Sequence, residues 1–128
     1  MKFLVVDDSA PMRRIVINSL HRVGITDVVE AGDGHEALER FDASVGFVIT
    51  DWSMPTMGGT ELARALRARG EQVPILLVTA RSVREDILEA MAAGVSNYIV
   101  KPFTPQILKE KIDALLPAGA VSAVGAAG

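Results

Sequence analysis

Five residues scattered along the chain could do chemistry together: the adjacent pair Asp7 and Asp8, then Asp51, Thr79 and Lys101. Each follows or closes a short apolar run: FLVV before the acid pair, FVIT before Asp51, ILLVT ending in Thr79, and YIV before Lys101. Two carboxylates about 4 Å apart repel by about 4 kcal/mol at an effective dielectric of about 20. A hard divalent cation relieves that repulsion without discharging either acid, and oxygen-only ligands point to magnesium, with manganese as the alternative. His21 and His35 fall inside helical patterns away from these positions, so an imidazole site is not expected. Asp51 is the natural nucleophile, because a carboxylate can attack phosphorus and form an acyl phosphate. The metal and Lys101 would neutralise charge on the transferring group, while Thr79 and a backbone N–H after Asp51 donate hydrogen bonds to it. No group is evident that would strongly activate water. The set suits making and holding an aspartyl phosphate more than rapid turnover.

Gathering such distant residues requires a particular scaffold. Apolar runs at Phe3–Val6, Asp27–Glu30, Phe47–Thr50, Ile75–Thr79 and Tyr98–Val100 read as strands. Three of them are almost continuously apolar, as strands covered on both faces are. The more polar DVVE is expected at an edge. Between the runs lie five segments of helical spacing: Met12, Ile15, Val16, Ser19, Leu20 and Val23; Ala37, Leu38 and Phe41; Leu62, Ala65 and Leu66; Ile87, Leu88, Met91 and Ala92; and Ile107, Leu108, Ile112, Leu115 and Leu116. Gly24, Gly70 and Gly94 stand where the first, third and fourth should end, and Thr104-Pro105 opens the fifth. Strands alternating with helices imply an α/β fold, a doubly wound five-stranded parallel sheet with helices on both faces. Ligands in such sheets bind beyond the C-terminal strand ends, where all five candidate residues fall.

The 128 residues suffice for one domain with its own core. With 49% apolar and 23% charged residues, a net charge of -3 and no basic tract, the chain lacks the footprint of a nucleic-acid binder. It has no cysteine, so no disulfide frame and no thiolate site. The four-residue apolar run before Asp7 is too short for a signal peptide, and no stretch has the length of a membrane span. A soluble, cytoplasmic protein is expected. Residues 1–116 are expected to form the domain and 117–128, without charge or periodicity, a flexible tail.

The segments VVDDS, MRRIV, EAGDGHEAL, DWSMPTMGG, LLVTA and YIVKPFT resemble the receiver domains of two-component response regulators, those of the single-domain chemotaxis branch in particular. The resemblance implies the flavodoxin-like strand order 2-1-3-4-5, a borrowed order that general fold rules already associate with this family. It implies a phosphorylation switch, with Asp51 accepting a phosphoryl group from a sensor histidine kinase. Asp7, Asp8, Asp51 and the Ser53 carbonyl would hold Mg2+. Thr79 and Lys101 would contact the phosphoryl group, Tyr98 would be the switch aromatic, and the Lys101–Pro102 bond would be cis. Ser53 and Arg81 would tune dephosphorylation, in opposing directions here.

A domain without an effector must act by contact. Arg84, Ile87, Tyr98 and Lys111 are the expected partner surface, with the flagellar motor switch as the partner the chemotaxis branch implies and the protein itself a monomer. Three other readings stand beside this one. The chain could be a phosphorelay receiver or the receiver of a longer transcriptional regulator. It could be a magnesium-dependent phosphatase with Asp51 as nucleophile, but Ser53 stands where such enzymes commonly keep an acid/base carboxylate. A flavin-binding module is disfavoured because DDSAP puts acids where a phosphate cradle needs N–H groups.

Overall fold

The apolar runs form strands and the periodic segments helices, in alternation: β1 (Lys2–Val6), α1 (Ala10–Arg22), β2 (Val28–Ala31), α2 (Gly34–Arg40), β3 (Val45–Asp51), α3 (Gly59–Ala68), β4 (Ile75–Thr79), α4 (Arg84–Ala92), β5 (Asn97–Val100) and α5 (Pro105–Leu115). The structure is a computed structural model and describes residues 1–80 and 84–116, so the segment 117–128 lies outside the described residues. All strand pairs are parallel, in the order β2-β1-β3-β4-β5, which places the polar β2 at an edge and β3 at the centre.

The two-residue period of the strands divides the core. Phe3 and Val5 of β1 point with Phe47 and Ile49 of β3 toward Leu20 of α1 and Leu108 and Ile112 of α5. Leu4 and Val6 point with Val48 to the other face, where Leu62 and Leu66 of α3 and Ala90 of α4 cover them. Stacked Phe3 and Phe47 rings, 4.9 Å between centroids, fix the first layer. Side-chain caps start three of the helices: Ser9 Oγ accepts from Met12 N at 3.3 Å, Asp33 Oδ1 from Glu36 N at 2.8 Å, and Thr104 Oγ1 from Ile107 N at 3.2 Å. Gly24, Gly70 and Gly94 end α1, α3 and α4 in left-handed conformations.

Helix faces depart from the periodicity at named positions. Ile15 is 53% exposed, and Ile17 takes its place against the sheet. Leu88 and Met91 also face outward, as does Ile107, and Ala92 is exposed. Two stripes of α4 satisfy the same i, i+3 spacing, and the smaller residues won: Ala90 within the helix and Ala93 just beyond it are buried. Small side chains bring the helix close to the sheet and leave the larger ones outside.

At the N-terminal edge of the sheet, Arg67 of α3 joins two connections. Its Nη1 donates to the carbonyls of Glu71 at 2.9 Å and Val73 at 2.7 Å, and its Nε to the carbonyl of Gly94 at 3.1 Å. Ser96 Oγ, 3.5 Å from Nη2, accepts in turn from Ile75 N at 2.9 Å. Burial depresses the Arg67 pKa from its ordinary value.

Candidate functional site

Ladder hydrogen bonds continue one residue past three strands and set the positions of the polar residues. Asp7 N donates to Ala31 O at 3.1 Å, Trp52 N to Val78 O at 3.0 Å, and Lys101 N to Thr79 O at 2.8 Å. Asp7, Asp51, Thr79 and Lys101 therefore share one edge, the C-terminal ends of parallel strands. One carboxylate oxygen from each of Asp7, Asp8 and Asp51 lies within 4.8 Å of the others, with Asp7 and Asp51 buried and Asp8 exposed. Lys101 Nζ stands 3.0 Å from Asp51 Oδ1. Three converging carboxylate oxygens, with neither imidazole nor thiolate among them, fit a hard divalent cation and not zinc.

Burial is the main force raising the Asp7 pKa above its ordinary value. The hydrogen bond that Asp7 Oδ1 accepts from Ser9 N at 2.9 Å pulls the other way. The charge of Asp51 adds to the rise and that of Lys101 offsets it. The charge of Asp8 is the smallest of the forces on Asp7, so burial outweighs the pair repulsion that the sequence announced.

Asp51 opens into a cavity of about 380 Å³ that Thr79, Lys101, Ser53, Trp52 and Glu61 also line. Thr79, only 2% exposed, closes the inner wall. Ser53 is exposed at the rim. Trp52 is half-buried against the α3-side core and also lines the cavity. Glu61 was missed: its place in the opening turn of α3 gave it only the ordinary reading of an acid at a helix start.

The connection from β3 to α3 is under strain at Thr56, where φ is 65°, a conformation costly for a β-branched residue. Gly59 serves close approach and not a left-handed turn. A Cβ there would stand 2.5 Å from the Asp51 carbonyl and 2.6 Å from Leu77 Cδ1. This glycine lets α3 begin directly against the backbone of the central carboxylate.

A family model for the response regulator receiver domain matches residues 3–113. The chain belongs to that family. Among its relatives, the chemotaxis protein CheY1 of Helicobacter pylori is 50% identical over 120 residues, 91% of this chain and 97% of that protein. A CheY homolog of Campylobacter jejuni is 50% identical over 123 residues, 93% and 95% of the two chains. The solved structure of Vibrio cholerae chemotaxis protein CheY4 superposes with a TM-score of 0.83 at 36% identity, covering 90% of this chain and 98% of that one. The fold expectation, including strand order, therefore holds for this receiver.

The remaining expected residues of the receiver fall in different places. The Lys101–Pro102 bond is cis, as expected. Tyr98 is half-buried on the edge strand β5, with Lys111 Nζ 5.4 Å from its ring centroid. Both line a second cavity of about 340 Å³, with Phe103 and Ile107 among its walls. Arg84 is exposed and Ile87 half-buried on α4, outside that lining. Arg81 lies outside the described residues. No helix among the described residues is long and apolar enough to cross a membrane.

Proposed function

We propose that this receiver is a phosphorylation-dependent signalling switch whose acceptor is Asp51. One observation carries the reading: Asp51, 9% exposed, brings its carboxylate within 4.8 Å of the acid pair's oxygens and within 3.0 Å of the Lys101 ammonium. Asp7, Asp8, Asp51 and the Ser53 carbonyl would hold magnesium, whose charge, when bound, offsets that of the phosphoryl oxygens. Asp51 attacks phosphorus of a phosphohistidine on a sensor kinase. An aspartyl phosphate forms as the P–N bond breaks, and the imidazole leaves with its proton. Lys101 is already ion-paired with the acceptor and stays close to the new phosphoryl oxygens, where it neutralises charge. Thr79 donates its hydroxyl to one of them.

Moving Thr79 reshapes the β4 end and, through the neighbouring β5, the setting of Tyr98. The partner surface comprises Tyr98 and Lys111 together with Arg84 and Ile87, and Ser53 and Arg81 tune the phosphoryl lifetime. The relatives' names support chemotaxis as the pathway. The flagellar motor switch as the output, and action in the cytoplasm as a monomer, complete the proposal on the resemblance alone. Intact-mass measurement with a small phosphodonor and Mg2+ tests the acceptor. Wild type gains one phosphoryl group and Asp51→Asn none; equal labelling of both proteins sinks the assignment.

A further inference from the structure

We infer that Arg13 and Glu30 form a positioning strut that holds the acid pair in metal-binding geometry, an inference resting on the magnesium-dependent reading above. Arg13 lies in the first turn of α1, 20% exposed at its side chain, and makes two directed contacts. Its Nη1 donates to the backbone carbonyl of Asp7. Its Nε pairs with Glu30 Oε1 of β2 at 3.1 Å. The backbone of Asp7 is otherwise held by its N–H on Ala31 O, and its carboxylate by Ser9 N. Arg13 N in turn donates to Ser9 O at 2.9 Å, so the loop carrying both acids is held by the backbone of Arg13 as well as by its guanidinium.

Charge and position make opposite demands here. A bare cation beside three carboxylates competes with a metal, and its removal would tighten metal binding. Glu30 largely cancels that charge. What remains of Arg13 is a planar fork whose two arms reach two different acceptors, a geometry an ammonium cannot copy. The fork fixes the direction of the Asp7 peptide, and through it where Asp7 and Asp8 present their oxygens. Partners that orient metal ligands typically contribute about 10- to 100-fold in affinity.

Titration with Mg2+, followed by the fluorescence of the single tryptophan, Trp52, and by calorimetry, tests this. Arg13→Met and Arg13→Lys are both expected to bind Mg2+ about tenfold more weakly than wild type. Amide exchange at Ser9 should also accelerate in both variants without metal. Unchanged or tighter binding by Arg13→Met overturns the strut, and so does wild-type affinity in Arg13→Lys, which would reduce Arg13 to a charge. Should thermal melting show Arg13→Met unfolded, Arg13→Lys decides alone: it keeps the charge and loses the fork, so about tenfold weaker binding with faster Ser9 exchange is expected, and wild-type affinity overturns the proposal. Failure of the wild-type protein to bind Mg2+ would sink the functional reading itself, whereas normal wild-type binding with indifferent variants sinks only the strut.

Discussion

The two edges of the sheet solve opposite problems. At the N-terminal edge, one cation, Arg67, meets the carbonyls of Glu71, Val73 and Gly94, so polar groups on two connections are satisfied by a single side chain. At the C-terminal edge, three carboxylates converge and, among the described residues, Lys101 is the cation ion-paired with one of them. The first edge contributes stability. The second gives stability up, holding like charges together where burial already raises the cost of charge on Asp7. A residue's worth to the fold therefore depends on which edge it occupies, and substitutions at the two edges should move stability in opposite directions.

Arg67→Met is the most damaging of these. It strands several part-buried carbonyls at once, and a loss of about 3 kcal/mol is expected in urea unfolding. A loss below about 1 kcal/mol would mean that water replaces the guanidinium and that the two edges are less unlike than described. Asp7→Asn should act in the other direction in metal-free buffer at neutral pH, with a gain in stability smaller than the Arg67→Met loss. Magnesium should reverse its sign, stabilising wild type and not the variant.

The pH dependence follows from the same residue. The folded-state pKa of Asp7 is raised above 3.8, so the protonated acid favours the folded chain. Its contribution is complete below 3.8 and is lost as pH rises through the raised value. Metal-free wild type should therefore lose, over that window, a share of stability that Asp7→Asn retains. Parallel unfolding curves for the two proteins across it would remove burial as the dominant force on Asp7. The smallest effect is expected at Thr56. Asn tolerates its left-handed backbone better, so Thr56→Asn should raise the melting temperature slightly, by the equivalent of about 0.5 kcal/mol. A fall would show that the threonine side chain supplies something the strain conceals.

Much of this arrangement could be read from the chain because strand ends are announced by composition. FLVV, FVIT and ILLVT each stop at a polar residue, and the parallel topology brings such stops to one edge. The shared location of Asp7, Asp8, Asp51, Thr79 and Lys101 was legible for that reason, as were the glycine-ended helices. The outward turn of Ile15, Leu88, Met91 and Ile107 was not, because helical spacing allows adjacent stripes and only three-dimensional packing chooses between them. Glu61 at the cavity wall and the Arg13–Glu30 contact were missed for a related reason. Long polar side chains reach across elements, and nothing in their local pattern says where they end. Gly59 shows a third kind of gap: a glycine announces that a side chain is unwelcome but not whether a turn or a neighbour forbids it.

Asp51 ends the middle strand, flanked on both sides, whereas Tyr98 lies on an outer strand and α4 buries only Ala90 within its length. In the proposed switch, chemical input thus lands on a strand paired on both sides, and its consequences surface on a strand paired on one side only. A message written at the centre is then read at the margin, with the acceptor staying at its post. Evolution can then rewrite the margin for a new listener while the writing mechanism stays as it is.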